Sequence, residues 1–158
     1  MAIITLNNNS ISSITSLPAA ISTGKVLQVV TAVDSTNRST TSTSFVTASN
    51  TLSVDITPSA TSSKILIQVS CMLYINTGYG NLTIYRDSTN LATAAASNSL
   101  IGTDGDGAYY ATSGLHFLDS PSSTSQLTYQ VYFKTNGNSV QLSNGTALGN
   151  ITAYEIEG

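Results

Sequence analysis

The residues of this chain that could do nucleophilic or acid–base chemistry are few and widely spaced. His116 is the one histidine, and Asp119 follows three positions later in the segment LHFLD. Together with a serine they would supply the residue types of a hydrolase triad, but 25 serines make that combination uninformative. Cys71 is the one cysteine and lies inside an apolar run, which predicts a buried structural thiol and excludes an internal disulfide.

Two pairs of carboxylates are close enough in sequence to be considered for glycoside cleavage or cation binding. Asp104 and Asp106 stand in GTDGDG, residues 102–107, which we interpret as a loop. It begins like a calcium-binding loop but lacks the further oxygen ligands and the final glutamate. Glu155 and Glu157 fall on one side of the last predicted strand, where we expect them to be solvated. We therefore predict a protein that is not an enzyme and that uses no metal or cofactor.

Tyrosines in polar segments indicate a binding surface instead. One stands between glycines in TGYGN, and two adjacent ones follow the acidic glycine-rich segment. A tyrosine ring can stack on a sugar or contact a protein. On a strand, adjacent side chains point to opposite faces, so we expect one ring of the adjacent pair inside and the other outside. The candidate receptor-contact residues are Tyr79, Asp104, Asp106, Tyr109 and Tyr110.

The composition limits the partners of the chain. It has 25 serines and 23 threonines among 158 residues, whereas only 8% of its residues are charged. Five basic residues and a net charge of −3 argue against binding to nucleic acid and against a polybasic membrane surface. The start lacks the basic and apolar regions of a signal peptide, and no apolar run is long enough for membrane insertion. We expect synthesis in a host cytoplasm and release by a route other than secretion, such as assembly into a virus particle.

Alternating apolar and polar residues predict an all-β fold, an antiparallel two-sheet sandwich or jelly roll. In LSVDIT, residues 52–57, the alternation is strict, and KILIQVSCMLYI, residues 64–75, is the longest apolar stretch and a central strand. Turn residues separate about nine or ten such segments. The predicted strands are 25–33, 44–48, 52–57, 64–75, 81–86, 91–95, 108–118, 127–135, 140–142 and 151–156.

The first 24 residues have a different pattern, and we divide the chain into an arm, residues 1–24, and a β-sandwich domain, residues 25–158. Four apolar residues lie along the arm among serines and threonines. They either fold back on their own domain, pack around a threefold axis or dock on another virion protein. The candidate virion-anchoring and oligomerisation residues are Ile11, Ile14, Leu17 and Ile21.

Several segments of the chain resemble a known group of proteins. They are ITLNNNSISSITSLPAAISTGKVLQVV, TPSATSSKILIQVS, LTIYRDSTNLA, FLDSPSSTSQLTYQVYFKT and ITAYEIEG. These are similar to small Ser/Thr-rich virion appendage proteins, tail-fibre or structural, of marine and cyanobacterial tailed phages. The predicted body also resembles the trimeric jelly roll of complement-C1q-like and tumour-necrosis-factor-like domains.

The resemblance implies a bacteriophage virion structural protein, a homotrimeric tail or head fibre on the virion surface. Its arm would bind capsid or tail proteins, and its jelly-roll head would be displayed for host attachment through a surface glycan or protein. A capsid decoration protein that stabilises the head is one alternative. A carbohydrate-binding module is a second one, although the chain has no tryptophan. An enzyme is the function class that these residues support least.

Overall fold

The computed structural model describes residues 24–48, 51–142 and 147–158. This part of the chain contains twelve β-strands. These ranges contain no helix, and therefore none that could span a membrane. The predicted arm up to residue 23, with Ile11, Ile14, Leu17 and Ile21, lies outside the described residues. The strands are β1 Val26–Asp34, β2 Arg38–Thr40, β3 Val46–Thr47, β4 Ser53–Ile56, β5 Lys64–Ile75, β6 Gly78–Arg86, β7 Thr89–Asn90, β8 Ile101–Gly105, β9 Tyr109–Asp119, β10 Leu127–Thr135, β11 Val140–Leu142 and β12 Gly149–Ile156.

The strands form two antiparallel sheets, so the predicted all-β two-sheet sandwich is confirmed. In sheet 1, β5 is central: β9 pairs along one edge of it, and β11 and β12 pair in succession along the other. β2 and β1 then pair outside β11 and β12. In sheet 2, β10 and β6 are central, with β3 and β4 outside β10 and with β7 and β8 outside β6.

The core lies between the inward faces of the two sheets and follows the predicted alternation. On β5 every second side chain is buried, including Cys71, and burial raises the pKa of its thiol to about 12. This thiol stays protonated, so the predicted structural role fits its environment. Each buried aliphatic side chain contributes about 1.5–3 kcal/mol to folding. The largest contributors at the centre include Ile65, Ile67, Leu73, Leu82, Ile84, Tyr129, Phe133 and Ile151.

A glycine permits the close approach of the two sheets near one end of the sandwich. Gly80 on β6 faces inward toward β5 and β11. A Cβ atom there would come within 2.8 Å of Leu73 Cδ2 and 2.9 Å of Val140 Cγ2. Only a residue without a side chain fits this spacing, and we call this end of the molecule the Gly80 end.

The opposite end is held by two buried carboxylates. Arg86 Nη1 at the end of β6 donates to both carboxylate oxygens of Asp119 on β9, at 2.9 and 2.7 Å. The hydroxyl of Tyr129 on β10 donates to the same carboxylate at 2.7 Å. Because β9 belongs to sheet 1 while β6 and β10 belong to sheet 2, this cluster joins the two sheets.

Glu155 is the second carboxylate, and our expectation that it is solvated is wrong. It is 1% exposed, because its position on β12 points inward. Its Oε1 accepts from the amide and hydroxyl of Ser59, both at 2.6 Å, and from the hydroxyl of Ser63 at 2.7 Å, while Gln28 Nε2 donates to Oε2 at 2.6 Å. Burial alone would raise the pKa of Glu155, but these hydrogen bonds lower it to about 2. Glu157, in contrast, is exposed.

Two other predictions about the strands are wrong, and one short strand was not predicted. Residues 91–95 are not a strand: the chain turns there, with the amide of Ala95 donating to the carbonyl of Ala92. Residues 102–107 are not wholly a loop, since Ile101–Gly105 pairs with β6 along its whole length. Arg38–Thr40 forms a short strand that the sequence pattern does not indicate.

Candidate functional site

The outer face of sheet 2 carries a cleft near the Gly80 end. Antiparallel pairing of β6 with β8 sets Tyr79 opposite Asp104 and Asn81 opposite Gly102. Pairing of β6 with β10 then sets Lys134 on the other side of Asn81. These five residues, with Ser97 and Thr103, line a cleft of about 420 Å³.

Gly102 lets the amide of Asn81 pack over it. A Cβ atom at this position would lie 2.7 Å from Oδ1 of Asn81, which is 8% exposed beside it. A row across the three strands therefore runs from a lysine, over a largely buried amide, to a glycine. The result is a hollow with a polar floor.

Tyr79 and Asp104 border this hollow, and Tyr109 fixes the strand that carries the aspartate. Tyr79 is 40% exposed and lines the cleft. Oδ1 of Asp104 accepts from the amide of Gly105 at 2.9 Å. The Tyr109 hydroxyl donates to the Asp104 carbonyl at 2.8 Å, and its ring fills the position that a side chain on Gly105 would need. Burial, and then the charge of Asp104, raise the pKa of Tyr109.

Lys134 is held in place at the opposite border. Its Nζ donates to the carbonyl of Ser97 at 2.9 Å and lies 4.5 Å from the centroid of the Phe45 ring. The ring of Phe45 meets Tyr85 edge-on, and Tyr85 stacks on Tyr132 with centroids 4.0 Å apart. An aromatic cluster on the outer face of sheet 2 therefore positions the one cation of the cleft.

The predicted receptor-contact residues do not form one surface. Tyr79 and Asp104 line the cleft, Tyr109 lies beneath its edge, and Asp106 stands in the exposed turn after β8. Tyr110 is on the other side of the molecule, 58% exposed on the outer face of sheet 1, as expected for a residue next to the inward-facing Tyr109. Its ring lies 5.0 Å from that of Tyr74. Sequence reasoning missed Asn81, Gly102 and Lys134, because strand register alone brings them together.

The outer face of sheet 1 is a second candidate surface, with an apolar row that crosses four strands. Val29 on β1 is paired with Tyr154 on β12, Tyr154 with Leu66 on β5, and Leu66 with Leu118 on β9. The ends of the row are the most exposed, since Val29 is 54% and Leu118 is 51% accessible. Apolar side chains of this size usually lie inside a protein, so a continuous exposed row indicates an interaction surface.

Charge is nearly absent from this face. Of the outward residues on β1, β5, β9 and β12, Lys64 at one end is the one charged side chain. The row next to the apolar one is Thr31, Thr152, Gln68 and His116, in that order across the sheet. We call the outward residues of these four strands the sheet 1 face.

The residues considered for catalysis do not form a catalytic site. His116 lies on the sheet 1 face, whereas Asp119, three positions later on the same strand, points inward to Arg86 and Tyr129. Cys71 is buried away from both. In the described part of the chain, His, Cys, Asp and Glu side chains form no group of three that could hold a metal ion.

Comparison with known proteins gives only distant likenesses. No protein-family model and no curated protein matches the chain. Among solved structures, the chain is similar to two structures of the VP2 protein of infectious bursal disease virus. One is the D431N mutant in T=1 particles, with 12% identity and a TM-score of 0.41. The other is a VP2 subviral particle, with 16% identity and a TM-score of 0.42. Both alignments cover 81% of this chain and 36% of the VP2 chain. The chain thus spans about a third of the length of those proteins, and likeness this distant carries no argument about function.

Proposed function

We propose that this chain is a bacteriophage virion structural protein, a homotrimeric tail or head fibre that displays its β-sandwich on the particle surface. The single observation that carries the proposal is the sheet 1 face. It combines an exposed apolar row across four strands with an almost complete lack of charge. An exposed apolar surface of this kind is typical of a protein–protein contact, and a further copy of the chain can cover it.

The occupant proposed for this face is a second copy of the chain. Burial of the row from Val29 to Leu118 removes apolar surface from water, at about 25 cal/mol per Å². No carboxylate or arginine points outward from these four strands, so none has to lose its hydration or find an opposite charge in the partner. A neighbouring copy can therefore cover the face without repulsion from buried charges. Trimeric symmetry itself is the part implied by the resemblance.

The arm is proposed to hold the trimer on the particle. Residues 1–24 precede β1, which begins at Val26 on the edge of sheet 1 and carries part of the sheet 1 face. Ile11, Ile14, Leu17 and Ile21 would then contact capsid or tail proteins, while the cleft on sheet 2 faces outward. In this assignment the chain acts by assembly and host contact and performs no catalysis.

Capsid decoration is the second candidate function, favoured by the same uncharged face. A decoration protein would use that face against capsid subunits and need not contact the host. The carbohydrate-binding module proposed as the other alternative differs in needing no self-association. The cleft serves that alternative as well as the fibre, so the oligomeric state distinguishes the two.

Deletion of residues 1–24 tests the proposal in the phage that encodes the chain. We expect the shortened chain to fold and to be lost from purified particles, with fewer particles adsorbed to host cells and unchanged heat stability of the heads. Normal incorporation of the shortened chain would contradict the anchor. Heads that become heat-sensitive while adsorption stays normal would support capsid decoration instead of a fibre.

A further inference from the structure

The cleft on sheet 2 combines one aromatic ring with three kinds of polar group in a small space. Tyr79 offers a half-exposed ring, Asn81 an amide, Asp104 a carboxylate and Lys134 an ammonium group. We infer that this cleft binds a neutral saccharide. One sugar ring stacks on Tyr79, and its hydroxyls form hydrogen bonds with the other three side chains.

The polar groups match the chemistry of sugar hydroxyls. A hydroxyl both donates and accepts, so it can donate to the carboxylate of Asp104 and accept from the ammonium of Lys134. The amide of Asn81 can do either. Hydrogen bonds to charged groups are roughly twice as strong as those between neutral groups. The apolar face of a pyranose ring, in turn, packs on the ring of Tyr79 in the way that aromatic side chains contact flat partners.

The size of the cleft fits a small ligand. Its volume of about 420 Å³ is within the range of small-molecule sites, about 300–1,000 Å³. A side chain at Gly102, which lines the cleft, would press on the amide of Asn81. The glycine therefore keeps this amide in its position at the floor of the cleft.

The charges favour a neutral saccharide over an acidic one. Asp104 borders the cleft and Asp106 is two residues away, whereas Lys134 is the one cation that lines it. This lysine already contacts the Ser97 carbonyl and the Phe45 ring. An anionic sugar would therefore approach a site with two carboxylates and one ammonium group, on a chain with a net charge of −3.

The binding groups are held before any ligand arrives. Asp104 is fixed by the amide of Gly105 and, through its carbonyl, by Tyr109. Lys134 is fixed by Ser97 and Phe45, and the backbone of Tyr79 and Asn81 belongs to a strand that is paired on both sides. Binding therefore loses little side-chain entropy at Asp104 and Lys134, which raises the affinity for a weakly held ligand such as a sugar.

This inference deepens the host-contact part of the proposed function and rests on it, because only a protein displayed outside the cell meets host saccharides. Its test uses the full chain in solution. Neutral trisaccharides of glucose, galactose, mannose and N-acetylglucosamine are added, with sialyllactose as the charged comparison. Saturation-transfer NMR detects binding, and calorimetric titration gives the affinity. The mass of the same samples is measured by light scattering.

Two variants remove the proposed contacts, and each has a matched control. Tyr79→Ala removes the ring and should weaken binding about tenfold or more, whereas Tyr79→Phe keeps the ring and should stay close to the original affinity. Gly102→Val fills the hollow and should abolish binding. Gly107→Val is its control, because a side chain there meets no atom within 4 Å. Should Gly102→Val fail to fold, the tyrosine pair still decides.

Each outcome bears on the inference separately from the proposed function. Binding of a neutral trisaccharide that Tyr79→Ala and Gly102→Val remove supports it. No binding at millimolar concentration, binding of sialyllactose alone, or binding that both variants retain would overturn it. A trimer that binds no sugar leaves the fibre proposal intact. A monomer that binds sugar through the cleft contradicts the trimer and keeps the saccharide site.

Discussion

Tyr79 on β6 lies directly opposite Asp104 on β8, on the outer face of sheet 2. Directly opposed side chains on antiparallel strands have Cβ atoms about 4.5–5.5 Å apart, so the ring and the carboxylate border the same space. The hydroxyl of Tyr109 holds the backbone of Asp104 from below. The distance between an aromatic surface and a hydrogen-bond acceptor is therefore set by strand pairing, which is more rigid than a loop.

Replacement of Glu155 by glutamine should destabilise the protein near neutral pH and have little effect in strong acid. The pKa of this carboxyl is lowered from 4.5 to about 2, so its ionised form stabilises the fold. That stabilisation is complete above about pH 5 and is lost as the pH falls toward 2. We expect Glu155→Gln to lower the free energy of unfolding by about 2–3 kcal/mol at pH 7. Urea unfolding of both proteins at pH 7 and at pH 2.5 measures the difference.

Glu157→Gln is the control for this prediction. Glu157 is exposed and lies 3.8 Å from Lys25, also exposed, and such surface pairs contribute little. Its replacement should leave the urea midpoint almost unchanged at both pH values. If Glu155→Gln lowered the free energy of unfolding by the same amount at pH 7 and at pH 2.5, the carboxylate charge would not be what stabilises this end of the sandwich.

Loss of Arg86 should lower the free energy of unfolding more than loss of the Tyr129 hydroxyl, because Arg86 is the cation that pairs with the buried carboxylate of Asp119. Tyr129→Phe removes one hydrogen bond to Asp119 but leaves the ion pair, and should cost about 1–2 kcal/mol. Arg86→Met leaves a buried carboxylate without its cation and should cost about 3 kcal/mol or more. Thermal unfolding at pH 7 gives the order. If both variants lost the same free energy of unfolding, the ion pair would contribute no more than the hydrogen bond from Tyr129.

Gly80→Ala should destabilise the sandwich by about 1–3 kcal/mol, because the new methyl group presses on Leu73 and Val140 between the sheets. Gly107→Ala, in open space, is the matched control and should be nearly neutral. Chemical denaturation of the two variants provides the comparison. If the two alanine variants were equally stable, the side chains of Leu73 and Val140 would not restrict the size of the residue at position 80.

Leu118→Asp should break the self-association of the chain without unfolding it. The side chain is half-exposed on the sheet 1 face, so a carboxylate is solvated in the monomer but would have to be buried between copies. We expect the mass in solution to fall to that of a single chain. Leu148→Asp, at an exposed leucine outside the four strands, is the control and should keep the original mass. If both variants kept the original mass, the sheet 1 face would not be the surface through which the copies associate.

Strands with strict alternation were predictable from the sequence, whereas contacts between distant segments were not. Leu127–Thr135 and Lys64–Ile75 have the predicted bounds, because period-two burial follows directly from the residue types. Residues 91–95 fail because alanines have no strong preference for a strand, and turn hydrogen bonds hold them. β8 was missed because its two glycines and one aspartate are typical of a loop, and only pairing with β6 makes it a strand.

The same limit applies to the candidate site. Tyr79 and Asp104 were identifiable by residue type, but the register that sets them opposite each other is a tertiary fact. Lys134 is more than 50 positions away from Tyr79 in sequence, and Gly102 matters through the side chain that it lacks. Likewise, the burial of Glu155 depends on partners 92 to 127 residues away, so its position on a terminal strand indicated an exposed carboxylate.

Self-association through the sheet 1 face can be tested by the molar mass of the full chain in dilute solution, measured by light scattering beside a chain that starts at Lys25. We expect about three times the 16.4 kDa of one chain for both, because the proposed contact lies on the sheet 1 face. A trimer that dissociates on truncation would move the contact into the arm. A mass of one chain for the full-length protein would contradict the trimeric appendage.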